Sequence, residues 1–136
     1  MELVTYLSFD GRCEEAFKLY ERVLGGKITF MMRYGESPIA AQMQAERLKW
    51  IYHATLEVGK CRLQGADVES YQKPQGFNVS LNLKDADEAE RIFKALAENG
   101  SVQMALQETF WALRFGVVVD RFGTPWMINC GKSTAP

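Results

Sequence analysis

This chain repeats itself, and the repeat limits its architecture more than any other feature. Asp10-Gly11-Arg12-Cys13-Glu14-Glu15-Ala16-Phe17 opens a segment that runs to Gly26 and follows a short alternating strand, Val4 to Phe9. Within it Ala16, Phe17, Tyr20, Val23 and Leu24 recur at helical spacing, and Gly25-Gly26 supply the stop. The segment from Asp85 to Gly100 does the same after the strand Phe77 to Leu83, with Ala89, Ile92, Phe93, Leu96 and Ala97 as its apolar stripe. Asp10-Gly11 and Asp85 stand at the helix starts, where a carboxylate can cap exposed backbone N–H groups. Each predicted helix leads into strand-like sequence: Lys27 to Tyr34, Trp50 to Val58 and Lys60 to Gln64 in the first half, Val102 to Thr109, Leu113 to Val119 and Thr124 to Cys130 in the second. The pattern predicts an α+β chain of two tandem βαβββ modules, residues 1–66 and 76–131, within one domain over 1–136. A mixed sheet of this kind can curl into a cup, with the helices covering its outer face.

Turn chemistry agrees with this parse. Gly59 and Gly123 each lie between two predicted strands, where a positive φ is needed. Between Gly35 and Lys49 the first half carries an insertion in which Pro38 can start a helix, and whose Ala, Gln, Met and Glu content favours one. A short mobile helix or lid is expected there. The stretch from Ala66 to Gly76, with Pro74-Gln75-Gly76, is expected to link the modules.

A length of 136 residues, 47% of them apolar, suits one domain with a continuous core. Sixteen basic against seventeen acidic residues leave a formal net charge of -1, so no strong field draws the chain to nucleic acid or anionic lipid. No apolar run approaches the roughly 18 residues that span a bilayer, and the N-terminus lacks a secretory pattern, so the cytoplasm is the expected compartment. Cys13, Cys61 and Cys130 are odd in number and lack CxxC spacing, which predicts free thiols rather than a disulfide framework or structural zinc. Cys13, near a helix start, is a candidate for a lowered thiol pKa. GxGxxG, GxxxxGK[ST] and GxSxG are all missing, which removes the common nucleotide loops and the hydrolase elbow.

The stretches Gln107-Glu108-Thr109-Phe110-Trp111-Ala112-Leu113-Arg114-Phe115-Gly116 and Asp120-Arg121-Phe122-Gly123-Thr124-Pro125-Trp126-Met127-Ile128-Asn129 crowd polar and aromatic side chains into apolar strands. Together with Phe9 to Phe17 and Tyr20, they closely resemble the PhnB-like branch of the vicinal oxygen chelate superfamily, which includes glyoxalases, bleomycin-resistance proteins and dioxygenases. The resemblance runs from Tyr6 to Cys130. It implies the paired βαβββ fold, a small-molecule ligand and a homodimer in which modules are sometimes exchanged. Members of the branch sometimes carry the label 3-demethylubiquinone-9 3-methyltransferase, but this chain has no glycine-rich turn suited to S-adenosylmethionine.

Metal-dependent members of the superfamily hold a divalent ion with His, Gln or Glu on the first and last strands of both modules. Aligned on the helices and glycine turns, the matching positions here are about Thr5 and Asn78, Leu63 or Gln64, and Met127 or Ile128. That set offers neither carboxylate nor imidazole and predicts no metal and no other cofactor.

The candidate acid–base groups are His53 and Glu108. His53, the sole histidine, shares a strand face with Ile51 and Thr55, while Tyr52, Ala54 and Leu56 share the other. Glu108 would have a raised pKa if it entered an apolar pocket. Gln64, Asn78, Gln107, Trp111, Phe115 and Trp126 are the candidate ligand-binding residues, able to grip a planar or amphipathic molecule. Arg114, Arg121 and Arg33 are candidate anion clamps, unless they pair with acids such as Asp120 or Glu108. The residues favour a metal-independent protein that binds or sequesters a small molecule. The alternatives are an enzyme with Glu108 or His53 as acid or base, and a metal-dependent glyoxalase or dioxygenase.

Overall fold

Among the described residues two α-helices and eight strands follow the order the repeat predicts. The structure, a computed structural model, describes residues 1–132. In the unit Met1–Gln72, β1 (Thr5–Phe9) is followed by α1 (Cys13–Leu24), β2 (Lys27–Arg33), β3 (Ile51–Val58) and β4 (Cys61–Asp67). In the unit Lys73–Pro136, β5 (Val79–Leu83) is followed by α2 (Ala86–Ala97), β6 (Ser101–Gln107), β7 (Ala112–Val119) and β8 (Pro125–Gly131). The sheet orders are β1-β4-β3-β2 and β5-β8-β7-β6. Both sheets are mixed, since β1 runs parallel to β4 and β5 to β8 while the other pairs are antiparallel. The chain is thus α+β, built of two βαβββ modules. Gly59 and Gly123 have the positive φ expected of them, 58° and 92°.

Each helix lies on one face of its own sheet, and a small residue makes room for it. A Cβ on Gly65 would come within 2.9 Å of Phe17, and one on Gly116 within 2.8 Å of Phe93. The register rows Leu7–Gly65–Ala54 and Leu81–Ile128–Gly116 therefore face α1 and α2, respectively. Side chains alternate across a strand, so neighbouring rows face away from the helix. The helix-facing side holds Leu7, Phe9, Phe17, Tyr20 and Leu56 in the first unit and Ile92, Leu96, Val118, Trp126 and Ile128 in the second, all buried.

Three expectations need correction. The predicted strand Lys60 to Gln64 extends to Asp67, because β1 adds in parallel as far as the pair Phe9↔Asp67. The insertion is not one helix but three short 3₁₀ turns, Tyr34–Glu36, Ala40–Gln42 and Ala45–Arg47. Backbone bonds Tyr34 to Trp50 and Gly35 to Leu48 clamp its ends together, and Arg47 ion-pairs with Glu69. These tertiary ties prevail over helix propensity and describe a pinned strap rather than a lid. The cap of α1 is likewise not Asp10. Asp67, buried at the end of β4, accepts from the N–H groups of Gly11 (2.7 Å), Cys13 (3.0 Å) and Ile51 (2.8 Å). Asp85 does cap α2 as expected, accepting from Asp87 N–H.

Candidate functional site

On the sheet face opposite α1, register pairing sets Tyr6 beside Gln64 and Gln64 beside Thr55. His53 is on the same face, two residues from Thr55 on β3. The result is a continuous polar chain. Tyr6 Oη is 3.0 Å from His53 Nδ1, and Thr55 Oγ1 is 3.3 Å from His53 Nε2. Gln64 Nε2 donates to Thr55 Oγ1 at 3.2 Å. Aromatic rings flank the chain: Tyr6 stacks on His53 at 5.6 Å with 26° between planes, and Phe30 tilts against it at 5.7 Å. Tyr6 and Phe30 are 50% and 44% exposed, so both rings are accessible beside the polar chain. Partial burial, with smaller contributions from Cys13, Tyr34 and Tyr52, pushes the Tyr6 phenol pKa up, so it is protonated at neutral pH.

The corresponding face of the second sheet holds Ser80, Asn82, Phe115, Val117, Met127 and Asn129. Gln107 pairs with Phe115, whose ring meets Trp111 edge-on at 5.3 Å. Asn129 Nδ2 donates to Asn82 Oδ1 at 3.3 Å, while Asn129 Oδ1 is buried with no partner among the described residues. An unpaired buried acceptor costs on the order of 1–3 kcal/mol. Of the expected ligand-binding residues, the structure thus joins Gln64 to His53, and Gln107 to Phe115 and Trp111. Asn78 is exposed, just before β5.

Trp126 does not belong with them. It is fully buried on the α2 side, and its Nε1 donates to Asp120 Oδ2 at 2.8 Å. Asp120 also accepts from Phe122 and Thr124 N–H, so this carboxylate organises the last hairpin turn. Glu108 is also placed away from any apolar pocket: its side chain is 64% exposed and its carboxylate is 3.3 Å from Lys132 Nζ. Arg114 pairs with Glu90 at 2.9 Å rather than with Asp120 or Glu108. Arg33 pairs with Glu14 at 2.9 Å and donates to Lys49 O, and the Arg121 guanidinium lies over the Phe122 ring. Arg33 and Arg114 are thus each engaged by a carboxylate. All three cysteines are free, and burial, reinforced by Asp67 and Glu14, pushes the Cys13 thiol pKa far up, which opposes a reactive thiolate.

Sequence reasoning missed Tyr6 and Thr55. The signal was there: Thr55 shares the His53 face by parity, and Tyr6 falls beside Gln64 once β1 is paired in parallel with β4. Because Thr5 pairs with Leu63 on the helix side, the outward positions on the first and last strands are Tyr6 with Gln64 and Ser80 with Met127. Neither pair, a phenol with an amide in the first unit nor a hydroxyl with a thioether in the second, includes the carboxylate or imidazole that a hard divalent ion prefers. Among the described residues there is no group of three or more His, Cys, Asp or Glu able to hold one.

Two tandem βαβββ modules, each with a helix on one sheet face and a polar and aromatic row on the other, define the class of fold. The chain belongs to the Glyoxalase/Bleomycin resistance protein/Dioxygenase superfamily, which it matches over residues 3–128. It is 39% identical over 142 residues to Protein YjdN of Escherichia coli (strain K12), covering 97% of each chain. The solved structure of protein PA1353 from Pseudomonas aeruginosa superposes with a TM-score of 0.87 at 45% identity, covering 96% of this chain and 98% of that one. The PhnB protein from Bacillus cereus shares the fold at 21% identity, with a TM-score of 0.80 and coverage of 95% and 98%. No helix among the described residues is long and apolar enough to cross a membrane.

Proposed function

We propose that this protein binds or sequesters a small molecule without a metal ion, using the sheet faces opposite its helices as its binding surface. The observation that carries this reading is the Tyr6–His53–Thr55–Gln64 chain, with exposed aromatic rings beside it and no carboxylate among its members. Such a surface offers stacking and directional hydrogen bonds, the two elements of a small-molecule site. The protein works in this reading as a cytoplasmic homodimer, with neither nucleic acid nor membrane as partner. The near-zero net charge supports that choice of partner.

Thermal unfolding of the purified protein tests the proposal, with neutral aromatic compounds, small anions, or nickel, zinc, manganese or iron added separately. Stabilisation by particular organic compounds, unchanged by a chelator, is the expected result. Stoichiometric bound metal with a metal-dependent rise in Tm would overturn it in favour of glyoxalase- or dioxygenase-type chemistry.

A second reading, proton transfer on a small organic substrate, is favoured for His53 over Glu108. His53 is hydrogen-bonded at Nδ1 to the half-exposed Tyr6 hydroxyl, through which a substrate proton could be relayed to it, whereas Glu108 is a solvated, ion-paired carboxylate. It requires turnover that His53→Ala removes and Glu108→Gln leaves in place.

A further inference from the structure

We propose that Tyr6 is the hydrogen-bond donor through which the first sheet engages its ligand, and that the ligand is an uncharged planar molecule bearing a carbonyl-type acceptor oxygen. This rests on the binding reading above and specifies its chemistry.

The argument follows the protons along the chain. Gln64 Nε2 can only donate, so Thr55 Oγ1 accepts from it at 3.2 Å. Thr55 is 7% exposed, and a buried hydroxyl must place its own hydrogen on an acceptor. His53 Nε2, at 3.3 Å, is that acceptor. A neutral imidazole that accepts at Nε2 carries its proton on Nδ1, and Nδ1–H then donates to Tyr6 Oη at 3.0 Å. The Tyr6 oxygen is thereby engaged as an acceptor, and its own O–H is left to point outward from a half-exposed ring. Each bond polarises the next, so the last donor in the series is strengthened.

The surroundings specify the rest of the ligand. The Tyr6 and His53 rings stack and Phe30 adjoins them, which suits a flat molecule. The nearby cation on this face, Arg62, is 3.6 Å from Glu2 and 3.9 Å from Glu57, so its charge is already matched and does not select an anion. Partial burial keeps the phenol protonated, as a donor requires.

The amide of Gln64 sets the direction of the whole series. With its ends exchanged, Thr55 would donate to Gln64, His53 Nε2–H to Thr55, and Tyr6 O–H to His53 Nδ1, leaving no outward donor. Gln64→Glu imposes that reversed order, because a carboxylate only accepts. His53 is the sole histidine, so one imidazole signal pair in the ¹⁵N spectrum, recorded where the ring is neutral, reports the tautomer. The expected result is Nδ1–H in the wild type and Nε2–H in Gln64→Glu, with the amide spectrum showing both folded. Acetophenone, a planar acceptor with no donor, is the binding probe, followed by NMR titration. Tyr6→Phe keeps the ring and should weaken its binding about fivefold, the size of one net hydrogen bond, and Gln64→Glu should weaken it similarly. An Nε2–H tautomer in the wild type, or equal acetophenone affinity in the wild type and Tyr6→Phe, would overturn the inference. A wild type that ignores acetophenone but is stabilised by other compounds overturns the ligand class alone. One that responds to no compound overturns the binding reading on which the inference rests.

Discussion

The start of α1 is held by Asp67, a carboxylate from the far end of β4, whereas the start of α2 is held by Asp85 at its own N-cap. One repeated unit has thus met the same need, satisfying orphan N–H groups at a helix start, in two ways. The Asp67 solution also ties in the first residue of β3 through Ile51 N–H, so a single buried side chain joins the start of α1 to the start of β3. The Asp85 solution is local and exposed. A tertiary cap is a point of failure for its whole module, while a local cap affects only its helix.

The largest effect should come from Asp67→Ala, which strands three N–H groups and is expected to cost about 3 to 5 kcal/mol, read from urea unfolding. Asp67→Asn keeps an acceptor for part of the set and should fall between Asp67→Ala and the wild type. Equal effects of Asp67→Ala and Asp85→Ala would erase the contrast between the modules.

Gly65→Ala and Gly116→Ala probe what the modules share. Their added methyl groups would meet Phe17 and Phe93, and also Leu7 O at 2.8 Å and the Leu106 Cα at 2.9 Å, respectively. Because backbone cannot yield as a side-chain tip can, each should lower stability by about 1 to 3 kcal/mol. A neutral result at either site would mean that both the helix and the neighbouring strand backbone yield there. Asp85→Ala should cost about 1 kcal/mol, the usual value of a local N-cap, seen as a small fall in Tm.

The smallest effect concerns pH. Hydrogen bonds from Arg33 and Lys18 lower the Glu14 pKa from 4.5 to about 2. A lowered carboxylate pKa stabilises the fold above the unfolded value, and that contribution fades as pH falls from about 4.5 toward 2. Its partners are solvent-exposed, so it should amount to less than about 1 kcal/mol. Comparing Glu14→Gln with the wild type across that window measures it: the difference should close as the pH drops.

The faces opposite the helices differ as much as the caps do. Counting from the rows that face the helices, His53 in the first module corresponds to Phe115 in the second, and Gln64 to Met127. The first face carries a directional polar chain. The second carries an aromatic cluster and an asparagine pair.

Much of the fold could be read in advance. Apolar spacing located both helices, alternation located all eight strands to within a few residues, and glycine marked the hairpin turns. The site was only partly legible. His53 and Gln64 were candidates, but their link through Thr55, and Tyr6 at its end, depended on a register that a single sequence does not display. Trp126 reads like Trp111 or Phe115 along the chain, yet its parity puts it against α2 with its indole bonded to Asp120. Glu108 lies between pocket candidates and still points to Lys132.

By itself the sequence determined the repeat, the element order and the amphipathic faces, because these follow from local periodicity and turn stereochemistry. Only the tertiary structure decided which carboxylate caps α1, how the 36–48 segment is held, and which polar side chains meet across strands. Those outcomes depend on parallel pairing between β1 and β4, distant in sequence, and a shift of one residue would turn every side chain to the opposite face.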